Sequence, residues 1–226
     1  MAKYGAFDIL GPIMIGPSSS HTAGAARLAK IAGVIGGKDI VKVEFVLHGS
    51  FAKTYKGHGT DRALVAGILG MDPWDDRLKN SLEIAEKSHL EIQFSEGDLG
   101  DVHPNTVKFI ITKKEGRVIE VEGSSIGGGS IIITMVDGEK VQFTGEYPTL
   151  IIKHKDIPGV VSKVTAILYE EGINIAFMKV FRSSKGLRAT MVFEIDNAIS
   201  EEIIDKITSL GDITSIRFIT PVAEGE

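Results

Sequence analysis

The last third of the chain constrains the fold most strongly, because strand-type and helix-type apolar patterns alternate there in a fixed order. Apolar residues at every second position predict strands, and apolar residues three and four apart predict helices. The predicted elements are a strand at 149–154, a helix at 160–171, strands at 174–182 and 187–195, a helix at 200–210 and a strand at 213–220. This βαββαβ order predicts a ferredoxin-like domain.

The segment before this domain mixes helices and strands in a less regular order, and a chain of 226 residues is long enough for a second domain. Around 137–147 the pattern breaks into glycines and charges, which predicts a linker or a last edge of the first domain. We therefore predict an α+β protein. Its parts are a mixed α/β domain at 1–137, a linker at 138–147, the βαββαβ domain at 148–221 and a frayed tail at 222–226.

Composition excludes several classes of function. The net charge of −5 gives no electrostatic support for nucleic-acid binding. No apolar stretch approaches the roughly 20 residues of a membrane helix, and no signal segment is evident, so we expect a cytoplasmic protein without a membrane partner. The chain has no cysteine, and its six histidines are dispersed. We therefore expect no disulfide and no metal held by this chain alone.

A run of hydroxyl residues around one histidine gives the first candidate site. Gly16-Pro17-Ser18-Ser19-Ser20-His21-Thr22 precedes a helical pattern that begins at Ala23. Free backbone N–H groups and a positive dipole at a helix start favour a carboxylate or phosphate ligand, and they disfavour protonation of a nearby imidazole. Plain capping of the helix by these hydroxyls is the alternative.

Three further polar turns carry candidate side chains. The first follows a predicted strand at 39–48 and holds Lys56, His58 and Asp61, with Gly57 and Gly59 leaving the imidazole free to project. The second holds His103 and Asn105 around a stiffening proline. The third contains Ser125, Gly127, Gly128 and Gly129 and allows close approach of backbone to a ligand. A solvated Lys56, a helix-capping Asp61 and an ordinary polar loop at 103–105 are the alternatives.

The turn Lys155-Asp156-Ile157-Pro158-Gly159 places a carboxylate beside free N–H groups, which suits an amino acid. Together with the βαββαβ order and Asn174 at the second strand, it resembles the ACT domain over residues 148–221. The resemblance implies that copies of this domain pair through their sheets. It also implies an effector site containing Asp156, Gly159 and Asn174, and a domain that only pairs is the alternative.

Taken together, Gly16–Thr22, Lys56–Asp61, His103-Pro104-Asn105 and Ser125–Gly129 resemble the β portion of the iron–sulfur-dependent L-serine dehydratases. The resemblance spans about residues 4–136. It implies a domain similar to the allosteric substrate-binding domain of some phosphoglycerate dehydrogenases. It also implies a separate α chain whose cysteines hold a [4Fe-4S] cluster, and activity as a lyase only with that chain.

The implied reaction is loss of water from L-serine, giving pyruvate and ammonia, with an open iron polarising the hydroxyl and an imidazole removing the α-proton. We predict His58 as the base, because the glycines on both sides of it leave the ring free to project, with His21 and His103 as further catalytic candidates. The implied substrate-binding residues are Ser18, Ser19, Ser20, Thr22, Lys56, Asp61, Asn105, Ser125, Gly127, Gly128 and Gly129. A regulatory, non-catalytic subunit is the alternative, and no pyridoxal phosphate is expected.

Overall fold

The computed structural model describes residues 18–221. They form two compact units, the first ending at Asp137 and the second covering Gly138–Pro221. The predicted α+β class is confirmed. Gly16, Pro17 and the predicted tail at 222–226 lie outside the described residues. Within residues 18–221, no helix has the length and apolar character needed to cross a membrane.

The first unit combines one sheet with a layer of helices. Its helices are α1 (Ala25–Gly36), α2 (Gly49–Thr54), α3 (Thr60–Ile68) and α4 (Ser81–Lys87). Its strands are β1 (Ile40–Leu47), β2 (Glu91–Glu96), β3 (Thr106–Lys113), β4 (Val118–Gly127) and β5 (Ser130–Val136). The strands lie in the order β2-β1-β3-β4-β5, with only β1 and β2 parallel among these neighbours.

Helix α1 lies at the centre of this unit because small residues let it approach both the sheet and α3. A Cβ at Gly123 of β4 would come 2.8 Å from Leu28, and a Cβ at Gly67 of α3 would overlap the backbone carbonyl of Ala26. Leu28 and Ile31 are fully or almost fully buried between these layers. The close packing fixes the start of α1, where the first candidate site lies.

From its second strand onward, the second unit confirms the predicted βαββαβ order. Its elements are β6 (Glu139–Phe143), β7 (Thr149–Lys155), α5 (Val160–Glu170), β8 (Ile175–Ser184), β9 (Arg188–Ile195), α6 (Glu201–Thr208) and β10 (Ile213–Ile219). An antiparallel sheet in the order β10-β7-β9-β8 packs against α5 and α6 around Leu150, Ile152 and Phe193.

The segment at 138–147, predicted as a linker or a last edge of the first domain, contains the strand β6. Val141 and Phe143 of β6 are buried, and β6 packs against β8 and β9. The backbone N–H and the hydroxyl of Thr144 both donate to Glu194 Oε1, at 2.9 and 2.7 Å. The compact second unit begins at Gly138. Two alternating apolar positions are too few to stand out among the neighbouring glycines and charges.

Other boundaries also differ from the sequence-based predictions. The polar turn expected after β1 begins with a short helix, α2, because Gly49 adopts a φ of 56° that turns the chain directly out of the strand. Apolar spacing predicts one helix at about 75–87, whereas the structure has a 3₁₀ turn, Asp76–Asn80, followed by α4. Apolar alternation predicts a strand at 117–123, whereas β4 continues through Ser124 and Ser125, which pair with Ile132 and Ile131 of β5.

Candidate active site

The serine run does not cap the first helix. Ser19 is already helical, and Ser20–Gly24 forms a wide π-helical turn that continues into α1 without a side-chain cap. The predicted helix start at Ala23 is therefore too late, and the capping alternative is wrong for these hydroxyls. Ser18 Oγ instead lies 3.1 Å from His21 Nδ1. Isolated π turns are frequent at functional sites because they redirect side chains within a helix.

Gly24 brings the π turn against the glycine-rich turn between β4 and β5. A Cβ at Gly24 would overlap Ser125 Oγ, so only glycine fits there. Arg27 Nη1 donates to the carbonyl oxygen of Gly129 at 3.1 Å. Gly127, Gly128 and Gly129 all have positive φ, which lets the strand reverse within this turn. The structure thus joins the first and last predicted motifs.

His21 is the centre of the cluster. It is 8 % exposed, and its Nε2 lies 3.1 Å from Ser50 Oγ while its Nδ1 contacts Ser18. Its ring packs edge-on against Phe51 and His58, with centroids 5.2 and 4.9 Å away. Burial, and secondarily the His58 imidazole, lowers the pKa of His21 below 6.5. His21 is therefore neutral at neutral pH, with one ring nitrogen as donor and the other as acceptor.

His58 differs from His21 in having an unpartnered ring nitrogen. It lies between α2 and α3, where its backbone N–H donates to Thr54 O at 3.0 Å. Gly59 follows with a φ of 70° as the N-cap residue of α3. The His58 Nδ1 atom is buried, and no other group in the described part of the chain bonds to it. Three hydroxyls are likewise buried without a hydrogen-bond partner in the described residues, those of Thr22, Thr60 and Ser125. Buried polar atoms of this kind are typical of a ligand site.

The loop before β3 connects two parts of this cluster. The Ser125 N–H donates a hydrogen bond to the backbone carbonyl oxygen of Asn105 at 3.0 Å. The Ser50 N–H donates to Pro104 O at 2.8 Å. His103 is exposed, and its Nδ1 accepts the N–H of Asn105 at 3.1 Å. Pro104 and Asn105 therefore contact the cluster through their backbone carbonyls. The His103 ring instead accepts a hydrogen bond within its own turn.

The structure does not bring Lys56 and Asp61 to the cluster. Lys56 is exposed, and its ammonium lies over the Tyr55 ring, 5.6 Å from the centroid. Asp61 does not cap α3, whose N-cap residue is Gly59; it is the second residue of the helix, and its Oδ1 accepts the backbone N–H of Arg62 at 2.8 Å. Ser19 and Ser20 are half-buried in the turn that carries His21.

The predicted effector residues lie apart within one chain. Asp156 follows β7 and Asn174 precedes β8, and the registers with β9 place them at opposite ends of the sheet. Asp156 Oδ2 accepts the Gly186 N–H and contacts Arg182 Nε, both at 2.7 Å, and these groups lower the pKa of Asp156. Asn174 Nδ2 donates to Asp196 at 2.8 Å, and Gly159 is the N-cap residue of α5.

Ser50 is a member of the cluster that the sequence-based predictions missed. It directly follows Gly49 and lies three residues after Leu47, the end of strand β1, within a segment whose glycines predict a turn. A polar residue shortly after a buried strand is a weak signal by itself. Its contact with His21, 29 positions away, comes only from the packing of α2 against the π turn.

The described residues do not fit the iron–sulfur cluster that the sequence resemblance implies. The chain has no cysteine, and in the part that the structure describes no three His, Asp or Glu side chains converge as metal ligands. A thiolate-held cluster therefore needs ligands from another chain.

Comparison with known proteins identifies similar chains over both units. The family described as "Serine dehydratase beta chain" matches residues 5–135, and the family described as "ACT domain" matches residues 148–212. The "L-serine dehydratase, beta chain" of Peptoniphilus asaccharolyticus is 42% identical over 97% of this chain and 99% of its own length. The "Probable L-serine dehydratase, beta chain" of Bacillus subtilis is 41% identical over 93% of this chain and 95% of its own length. A "D-3-phosphoglycerate dehydrogenase" of Methanocaldococcus jannaschii is 30% identical over 79% of this chain and 33% of its own length.

Proposed function

Because the chain belongs to the serine dehydratase beta chain family and has a C-terminal ACT domain, we propose that it is the β chain of an L-serine dehydratase. This lyase eliminates water from L-serine, and the resulting aminoacrylate tautomerises and hydrolyses to pyruvate and ammonia. The observation that carries the proposal is the pair of imidazoles at His21 and His58. Both ring nitrogens of His21 contact hydroxyl groups, whereas His58 has a buried Nδ1 with no partner among the described residues.

The proposed base is His58. Its Nδ1 has no competing partner among the described residues, so the nitrogen is available to accept the α-proton of serine. Transfer of that proton leaves His58 cationic at 4.9 Å, between centroids, from the His21 ring. His21 has a lowered pKa and stays neutral beside this cation. The pair of rings therefore carries one positive charge at this stage, and His21 acts as a neutral, oriented hydrogen-bonding group.

The proposed substrate-binding surface is formed by the hydroxyls and backbone around this pair. Thr22 and Ser125 carry buried hydroxyls without a partner in residues 18–221. Thr22 lies within the π turn, and Ser125 packs against the turn at Gly24. Ser18, Ser19, Ser20, Asn105 and the Gly127–Gly129 turn complete the proposed set, whose hydroxyl and N–H groups suit a carboxylate. Lys56 and Asp61 contact none of these groups, so we do not include them among the proposed substrate-binding residues. His103 remains a candidate for the proton that departs with the hydroxyl.

A second chain is part of the proposal. The names of the similar β chains imply a partner subunit, and this chain has no cysteine to ligate a cluster. We therefore assign the [4Fe-4S] cluster to cysteines of that partner, while this chain binds serine and moves its α-proton.

The ACT domain is proposed to pair two copies of the chain. Phe177, Met178 and Val180 are exposed on β8, an edge strand of the second sheet. Apolar edge strands are templates for pairing with another chain. Asp156 and Asn174 lie at opposite ends of one sheet. An effector site that uses both residues therefore requires two copies.

The direct test is anaerobic pyruvate formation from L-serine. The chain, a co-expressed cluster-bearing partner and the complex of both are assayed separately under the same conditions. We expect turnover only from the complex. Full turnover by the partner alone, with this chain changing only the serine dependence, would favour the regulatory, non-catalytic subunit instead.

A further inference from the structure

Ser50 lies where three of the sequence motifs meet, although it belongs to none of them. Its hydroxyl is 3.1 Å from His21 Nε2 in the serine run. Its backbone N–H donates to Pro104 O at 2.8 Å in the His103–Asn105 loop. Its carbonyl accepts the hydroxyl of Thr54 at 2.8 Å, and Thr54 O accepts the backbone N–H of His58 at 3.0 Å. One residue thus has direct or one-step contacts to all three motifs.

The backbone around Ser50 leaves this position little freedom. Gly49 has a φ of 56°, and a Cβ there would lie 2.6 Å from Pro104 O. The proline loop therefore packs directly against the start of α2. Because the Ser50 N–H bonds to the same carbonyl, movement of the loop and movement of Ser50 are coupled. The neighbouring Phe51 is fully buried and contacts the His21 ring.

The Ser50 hydroxyl completes the hydrogen bonding of His21. With Ser18 on Nδ1 and Ser50 on Nε2, both ring nitrogens have a partner, which fixes the plane of the ring. A neutral imidazole has one donor and one acceptor nitrogen, and a hydroxyl can serve either of them, so the two contacts hold the ring in place in either tautomer. Loss of the Ser50 hydroxyl would leave a buried ring nitrogen unpaired and would remove one of the two contacts that hold the ring.

We infer that Ser50 is a positioning residue of this site, whose hydroxyl holds the ring of His21 in place and so fixes the orientation of that ring beside His58. The inference rests on the proposed dehydratase function. Ser50 acts through His21 and is not proposed to touch the substrate. Its effect should therefore fall on turnover rather than on serine binding.

The test compares Ser50→Ala with Ser95→Ala in the complex with the partner chain. Ser95 is a suitable control, because it is also half-buried in the first unit and donates one side-chain hydrogen bond, to Glu44 at 3.0 Å. We expect Ser50→Ala to lower kcat about five- to tenfold with KM within about twofold of wild type, as for loss of one hydrogen bond. We expect Ser95→Ala to keep wild-type kcat. Wild-type kcat in a folded Ser50→Ala complex would overturn the inference.

A spectroscopic measurement on the full chain tests the same inference without activity. In the wild type, the His21 ring should be in through-space contact with the Ser50 β protons. Ser50→Ala should shift the ¹⁵N resonance of His21 Nε2, which loses its partner, more than that of Nδ1, which keeps Ser18. An unchanged Nε2 resonance in a folded variant, or no contact between the wild-type ring and Ser50, would overturn the role of Ser50. Absence of serine turnover by the wild-type complex would instead overturn the proposed function.

Discussion

At the scale of single residues, the site depends on two imidazoles in different surroundings. His21 has hydroxyl partners on both nitrogens, whereas His58 Nδ1 has none in the described part of the chain. The sequence pointed to both histidines but left their roles open. It could not distinguish them, because the partner of His21 Nε2 is Ser50, which the local pattern does not mark. The expected cause of a neutral His21 was a helix dipole, and the structure assigns the effect first to burial.

The lowered pKa of His21 predicts a pH dependence of stability. Between 6.5 and the lower folded pKa, the unfolded chain binds a proton at His21 that the folded chain does not. Stability therefore falls as pH decreases through this window, and the effect vanishes above it. We expect the free energy of unfolding of the wild type to fall more than that of His21→Gln between pH 7.5 and 5.5, measured by urea denaturation. Parallel pH dependences in the two proteins would contradict this assignment.

At the scale of elements, the sequence predicted the parts that have repeated apolar spacing. The second unit was predicted almost element by element, because β7 to β10 and the two helices each bury one regular face. Helix α2 was not predicted, and the segment of β6 was predicted only as a linker or a last edge of the first domain. The first depends on the left-handed Gly49 packed against Pro104, and the second on contacts of Thr144 with Glu194. Both are set by distant residues, which local patterns do not report.

The crossing of α1 and α3 gives a prediction about packing. A Cβ at Gly67 would overlap Ala26 O and lie 2.6 Å from Ala29 Cβ, whereas a Cβ at Gly33 would be 3.4 Å from its nearest neighbour, Ile68 O. We expect Gly67→Ala to lower the free energy of unfolding by about 1–3 kcal/mol through overpacking. Gly33→Ala should stay within about 1 kcal/mol of wild type, since alanine is the better helix former. Equal urea midpoints for the two variants would show that the helices are not in such close contact.

At the scale of the whole molecule, the chain is expected to act in an assembly. Exposed apolar residues on edge strand β8 predict pairing of two copies through the second unit. At micromolar concentration, light scattering should give twice the chain mass for the wild type and for Val118→Lys, an exposed position in the first unit. Val180→Lys on β8 should give the mass of one chain, because two introduced charges would face each other. A monomeric wild type would contradict the pairing.

The measurement that most directly tests the central claim is the turnover of the complex with His58→Asn. The matched control is His89→Asn, because His89 is exposed and its φ of 56° is a conformation that asparagine tolerates. If His58 removes the α-proton, its variant should lose about 10²–10⁴-fold in kcat for anaerobic pyruvate formation at saturating serine, while the control keeps wild-type kcat. Near-normal kcat for a folded His58→Asn complex, with only serine affinity reduced, would contradict a catalytic role for this chain.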